Sequence, residues 1–222
     1  MPLIIGVLVF VSCVVTPQNL VSQNNCAITI DGGLSPVASR QTAANLLSKA
    51  EVNQIEWNQL ENSESIDSKD VRLELGSQET SQELIASNFN FSIPPNSIVT
   101  GISVRITGET SDISAAKDRS IRLVKNSNSP IGENKAWRTT VGDSWNRDTL
   151  NDLGYWIYGS TDDLCHSTWS ASDINSSSFG VAVQVENTSD ERIDFSVDQI
   201  LIKVYFEEPI IVCDDHTCIP VY

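Results

Sequence analysis

Positive charge is scarce in this chain of 222 residues: 14 lysines and arginines stand against 29 aspartates and glutamates, for a formal net charge of −15. A field of that sign repels nucleic acid and anionic lipid headgroups, so neither is expected as a partner. Histidine is scarcer still, with only His166 and His216, which leaves little material for general-base or metal-ligand chemistry. The chain has no G-x-S-x-G elbow, no phosphate-binding loop and no dinucleotide fingerprint. Acids are abundant, yet nothing in their spacing singles out a glycosidase pair. No enzymatic activity, no cofactor and no bound metal are expected. No apolar run reaches the roughly 20 residues of a membrane-spanning helix, and no membrane span is expected.

The five cysteines are Cys13, Cys26, Cys165, Cys213 and Cys218, without the paired C-x-x-C spacing of a zinc ribbon. A zinc site from Cys165, His166, Cys213, His216 and Cys218 requires the C-terminus to fold back, and a Cys165–His166 nucleophile pair requires adjacent side chains to share a face, which a strand does not allow. The arms Ile210–Val212 and Ile219–Val221 flank four turn-forming residues. That pattern predicts a C-terminal hairpin over 208–222, stapled by a disulfide between Cys213 and Cys218. The pairing of Cys13, Cys26 and Cys165 is open.

The most apolar stretch is Pro2–Val15. An apolar run followed by Ser12 and the mostly polar Gln18–Asn25 has the outline of a secretory signal. Against that, the first basic residue is Arg40, and Ile4, Ile5, Val7, Val9, Val11, Val14 and Val15 are all branched at Cβ, which favours extended chain over helix. The second reading is a retained strand that inserts into a neighbouring subunit. Residues 1–25 are thus either a signal or an inter-subunit strand. Residues 26–56 read as an adaptor, with a short strand at Ala27–Ile30 and a poor helix at Gln41–Val52.

From residue 57 to 207 the pattern is that of a β-domain. Val71–Leu75, Ile102–Ile106 and Ile121–Leu123 alternate apolar and polar residues, Phe179 to Val185 puts bulky residues at every second position, and Ile200, Ile202, Val204 and Phe206 repeat the period. Period-2 alternation places one face in a core and one in water, as in an antiparallel sandwich. Turn-forming stretches at Pro94–Asn96, Asn126–Gly132 and Ser170–Ser178 separate the strands. No long helical pattern intervenes, which excludes a parallel α/β fold.

Several ordered pieces of this region carry a resemblance: Trp57-Asn58, Gln78–Leu84 leading to Phe89–Pro94, Ile98–Ile106, Ile121–Lys125, Tyr158–Leu164, Trp169–Asn175, Phe179–Val181 and Val197-Asp198. Together they resemble a jelly-roll-like β-sandwich module of bacterial surface proteins and phage virion proteins. The resemblance implies an attachment or architectural role without a common enzymatic signature. After Asp163-Leu164, where that module has Trp-Gly, this chain has Cys165-His166.

The aromatics Trp137, Trp145, Tyr155, Trp156 and Tyr158 crowd a long stretch between strands. They are candidates for stacking on sugar rings, or for packing that stretch onto the sheet. Asp148, Asp152, Asp162 and Asp163 lie among them as candidate calcium ligands. Asn90, Asn175 and Asn187 head N-glycosylation triplets.

The expectation is an all-β, antiparallel jelly-roll-type β-sandwich with an extended N-terminal strand and a C-terminal hairpin. The first functional reading is an extracellular structural subunit, a homopolymer of copies of itself linked head to tail through its N-terminal strand. The alternative is a secreted or lipid-anchored adhesin module that binds glycans.

Overall fold

The computed structural model describes residues 37–43, 45–49, 53–60, 70–126, 129–136, 154–213 and 218–221. The expected assembly strand from Ile4 to Val15, together with Cys13, Cys26, Trp137, Trp145, Asp148, Asp152 and His216, lies outside them.

Two antiparallel sheets make a β-sandwich. The first contains β1 (Val37–Thr42), β3 (Val71–Leu75), β5 (Ile98–Thr110), β8 (Gly154–Gly159) and β10 (Ile193–Glu207). Its order is β1-β10-β5-β8, with β3 also paired to β10. The second contains β2 (Asn45–Lys49), β4 (Glu83–Ser87), β6 (Ala116–Asn126), β7 (Ser129–Ile131) and β9 (Gly180–Asn187), in the order β2-β4-β9-β6-β7. From β3 to β10 the chain changes sheet at every connection except β6 to β7. The first of these strands lies beside the last, and the second beside the next to last. That nested winding is a jelly roll, the fold expected from the sequence.

Alternation is what builds the layers. In β3, Val71, Leu73 and Leu75 are buried while Arg72 and Glu74 are exposed. Ile102, Val104 and Ile106 of β5 and Ile200, Ile202, Val204 and Phe206 of β10 meet Phe179, Val181, Val183 and Val185 of the second sheet in one core. Trp57 is buried there too, and its indole nitrogen donates to the carbonyl of Gln82 at 3.0 Å, so the ring enters the core with its polar atom satisfied. At one end Phe89, Phe91, Phe179 and Trp169 form an aromatic cluster, with Phe91 and Trp169 edge-on to Phe179 and Phe89 stacked on Phe91. Ala171 and Ile174 of α1 (Ala171–Ile174) join the same core, the helix being started by a capping box in which Ser170 and Asp173 exchange side-chain and backbone hydrogen bonds.

Three sequence expectations change. The helix expected at Gln41–Val52 is absent from the described part: 37–42 and 45–49 are strands, one added to each sheet within the stretch read as an adaptor. Helix propensity there is weak, and a ladder from Asn45↔Ser87 to Lys49↔Glu83 overrides it. The turn region Asn126–Gly132 contains the short strand β7, paired back onto β6. Residues 154–159, read as part of a long connection, form the edge strand β8.

The C-terminal hairpin consists of β11 (Ile210–Cys213) and β12 (Cys218–Val221), in a register that sets Cys213 opposite Cys218. The side chains of this hairpin, and with them the expected disulfide, lie outside the described residues. Among the described residues no helix is long and apolar enough to cross a membrane.

Candidate functional site

β8 alternates like the other strands, but with bulky residues on both faces. Trp156 and Tyr158 point to the core, whereas Tyr155 and Ile157 are 44% and 52% exposed on the outside. Tyr158, one of the five aromatics offered for glycan stacking, is therefore closed to a ligand: it is buried, and its hydroxyl donates to Asp118 at 2.6 Å. Burial, followed by the Asp118 carboxylate, pushes the Tyr158 phenol well above its usual range. Trp156 is half-buried against the same core. Only Tyr155 of the described aromatics in this stretch faces solvent.

The outer face of the first sheet is an ordered lattice of side chains, because register fixes which residues share a row. Tyr155 of β8 stands opposite Thr107 of β5, and Ile157 opposite Arg105, which is itself opposite Leu201 of β10. Gly159, Ser103 and Lys203 form the next row, and Arg40 of β1 takes the position opposite Lys203. The Arg105 guanidinium lies 4.2 Å from the centre of the Tyr155 ring, and the Lys203 ammonium 4.6 Å from that of Tyr205. Between them runs an open groove of about 450 Å³, with Ser103 and Leu201 buried in its floor and Ile157 and Tyr205 beside it. Gly159 closes one end. Its φ is +80°, and a Cβ there would meet the Ile102 carbonyl oxygen at 2.2 Å, so only glycine lets the chain turn so tightly onto β5.

Most of the described cations elsewhere are paired with acids, Lys117 and Arg122 of β6 excepted. Lys49, Arg72, Arg119, Lys125, Lys135 and Arg192 each stand within 4.0 Å of a carboxylate. A second cavity of about 660 Å³, near Asn58, Arg72 and Glu109, is lined by such paired groups: Arg192 meets Glu74 at 2.8 Å. In the outer-face groove Arg105 and Lys203 rest on tyrosine rings instead, and no carboxylate lines it among the described residues.

The remaining sequence candidates fall elsewhere. Asp163 is held by Lys135 at 2.8 Å and accepts the Cys165 N–H, and Asp162 accepts the Ser160 hydroxyl. Among the described residues no group of three or more acidic, histidine or cysteine side chains is placed to hold a metal ion. Asn187 is buried, with its amide nitrogen donating to the carbonyls of Leu75, Gly76 and Glu191, so its glycosylation triplet is closed in the folded protein. The Asn175 side chain is clamped in both directions to the backbone of Ile93, while Asn90 is exposed.

Cys165 and His166 both have positive φ, +53° and +51°. That geometry favours glycine, the residue the resembled module carries at the second position. The two side chains part: Cys165 is buried and His166 stands in solvent. Burial, with the Asp163 carboxylate adding to it, pushes the Cys165 thiol up to about 11. A thiol so held is no nucleophile near neutral pH, since only the thiolate reacts. Folding keeps the proton on, and an unfolded cysteine releases it near 9.0. The stability this lends is complete below pH 9 and is lost as pH rises toward 11. Denaturation midpoints measured between pH 8 and 11 should fall over that window, and fall less in Cys165→Ala.

Arg105, Lys203 and Tyr205 were not among the residues picked from the sequence. Each sits at an ordinary polar position of an alternating strand, and what brings them together is the pairing of β5 with β10, about a hundred residues apart along the chain.

No protein-family model matches the chain, and no curated protein sequence matches it. Among solved structures, a chain described as "CBM4 structure and function" is similar over 73% of this chain and 92% of that one, with 6% sequence identity and a TM-score of 0.33. So loose a likeness carries no weight for ligand or mechanism.

Proposed function

We propose that this is an extracellular attachment protein that binds polysaccharide on the outer face of the β8-β5-β10 sheet. The observation that carries the reading is Tyr155: a large ring left in solvent beside an open groove, with a guanidinium 4.2 Å from its centre. Sugar rings present patches of C–H groups that pack on an aromatic face, and hydroxyls that seek nearby donors and acceptors. Tyr155 and Ile157 offer the first kind of contact, while Ser103, Arg105 and Lys203 offer the second. The reading is of a binding protein rather than a catalyst.

The test is retention on a panel of immobilised neutral and acidic polysaccharides, with isothermal titration of any that bind. Tyr155→Ala, at an exposed position, is expected to keep the fold and weaken binding about tenfold, the scale of losing one stacked ring. Unchanged affinity in that variant would place the ligand elsewhere.

A second reading, the filament subunit joined head to tail through residues 4–15, is favoured by one described feature. Among the described residues β8 ends the order of its sheet, and an edge strand of that kind can accept an added strand. Electron microscopy of the full chain and of a form lacking residues 1–15 tests it: polymers should disappear while the sandwich stays folded.

A further inference from the structure

We propose that the polysaccharide taken by this face is anionic, a chain of uronic acid or sulfated sugars rather than a neutral glycan. The inference rests on the glycan reading above and narrows it to a substrate class.

Six of the ten lysines and arginines whose side chains are described pair with a carboxylate, and Arg105, Lys117, Arg122 and Lys203 have no ion pair among the described residues. Two such cations, Arg105 and Lys203, lie on the same outer face and line the same groove. They flank Ser103: Lys203 is directly opposite it across the β5–β10 pair, and Arg105 is two residues along β5, on the same face. Neither forms an ion pair among the described residues. Each is steadied by a tyrosine ring, Arg105 by Tyr155 and Lys203 by Tyr205. Such a contact orients a cation and leaves its N–H donors free, whereas a carboxylate partner would consume them. The Arg105 Nε is buried without a hydrogen-bond partner, so contact with a ligand falls to the terminal N–H groups of the guanidinium.

A pyranose carrying a carboxylate or sulfate matches this arrangement. Its ring packs against Tyr155 and Ile157, and its charged oxygens take the N–H groups of Arg105 and Lys203. A neutral sugar satisfies the ring contact but leaves the two cations unpaired as it covers them, which is costly. The net negative charge opposes a polyanion at long range, so its capture depends on local cations such as these two.

The experiment compares polygalacturonate with its fully methyl-esterified form, which has the same backbone without the charge. Dextran sulfate and plain dextran serve as the sulfate pair. Binding to the full-length protein is measured by isothermal titration at low and moderate salt. The expected result is binding to polygalacturonate or dextran sulfate at least tenfold tighter than to the uncharged counterpart, with the preference shrinking as salt rises. Which charged polymer wins separates a carboxylate from a sulfate ligand. Lys203→Gln and Arg105→Gln should each remove most of the preference while leaving the melting temperature within a few degrees.

Equal binding to charged and uncharged members of both pairs overturns the anionic assignment and leaves the glycan reading standing. Charged-polymer binding that persists in the double variant Arg105→Gln/Lys203→Gln overturns the assignment of these residues. Failure to bind any member of these pairs or of the wider panel overturns the glycan reading itself.

Discussion

Replacing Phe179 by alanine is expected to cost about 3–5 kcal/mol of unfolding free energy, the range for emptying an aromatic site in a packed core. Phe179 is fully buried and sits at the centre of the end cluster. Its ring meets Trp169 edge-on at 5.4 Å between centroids and Phe91 at 5.7 Å, with Phe89 at 6.5 Å. The cost belongs toward the upper end because the surroundings cannot collapse into the hole. Trp169 is tied by its indole N–H to the Leu164 carbonyl, and the Phe91 segment is fixed by the two Asn175–Ile93 hydrogen bonds. α1, braced by its capping box, adds Ala171 and Ile174 to the same core. Urea denaturation followed by tryptophan fluorescence measures the loss, and a loss under about 1.5 kcal/mol would show that the cluster repacks. Truncating exposed Ile113 should change stability by less than about 0.5 kcal/mol in the same assay.

The second large effect lies one residue further on. Gly180→Ala is expected to destabilise by about 3 kcal/mol or more, at the upper end of what overpacking costs. A Cβ at this position would stand 1.9 Å from the carbonyl oxygen of Ala86, with further backbone atoms of β4 about 3 Å away. Nothing flexible can yield. Gly180 opens β9, which is sandwiched between β4 and β6, so relief requires moving a paired strand. In sequence this glycine adjoins the bulky Phe179. The structure assigns the need to a neighbouring strand about ninety residues earlier in the chain. Thermal unfolding of the variant checks it, and a melting temperature within two degrees of the unchanged protein would contradict the account.

What could be read from the residues was the part written in period 2. Val71–Leu75 is a strand with the expected burial, and the alternations in β5, β6, β9 and β10 all lie where the sandwich has strands. The turn-forming stretch Ser170–Ser178 holds the short α1, capped by Ser170 and Asp173. What hid β8 was the nature of its residues. Tyr155, Trp156, Ile157 and Tyr158 are all bulky, so the alternation between solvent and core leaves no trace in hydropathy. That same feature made five aromatics look like one cluster, when parity sends Tyr155 outward and Tyr158 into the core. The candidate face was beyond sequence reasoning for a different reason. Its cations belong to strands that meet only through the jelly-roll winding, and a lysine at an outward position of a strand looks like any solvated charge.

The central claim is that this outer face is where the protein meets its ligand, and a backbone-amide NMR titration of the full chain with soluble oligogalacturonate tests it most directly. The account predicts shift changes concentrated on Ser103, Arg105, Tyr155, Ile157, Lys203 and Tyr205, with the Asn58–Arg72–Arg192 cavity unmoved. Changes centred on that cavity, or scattered without focus over the surface, would contradict it.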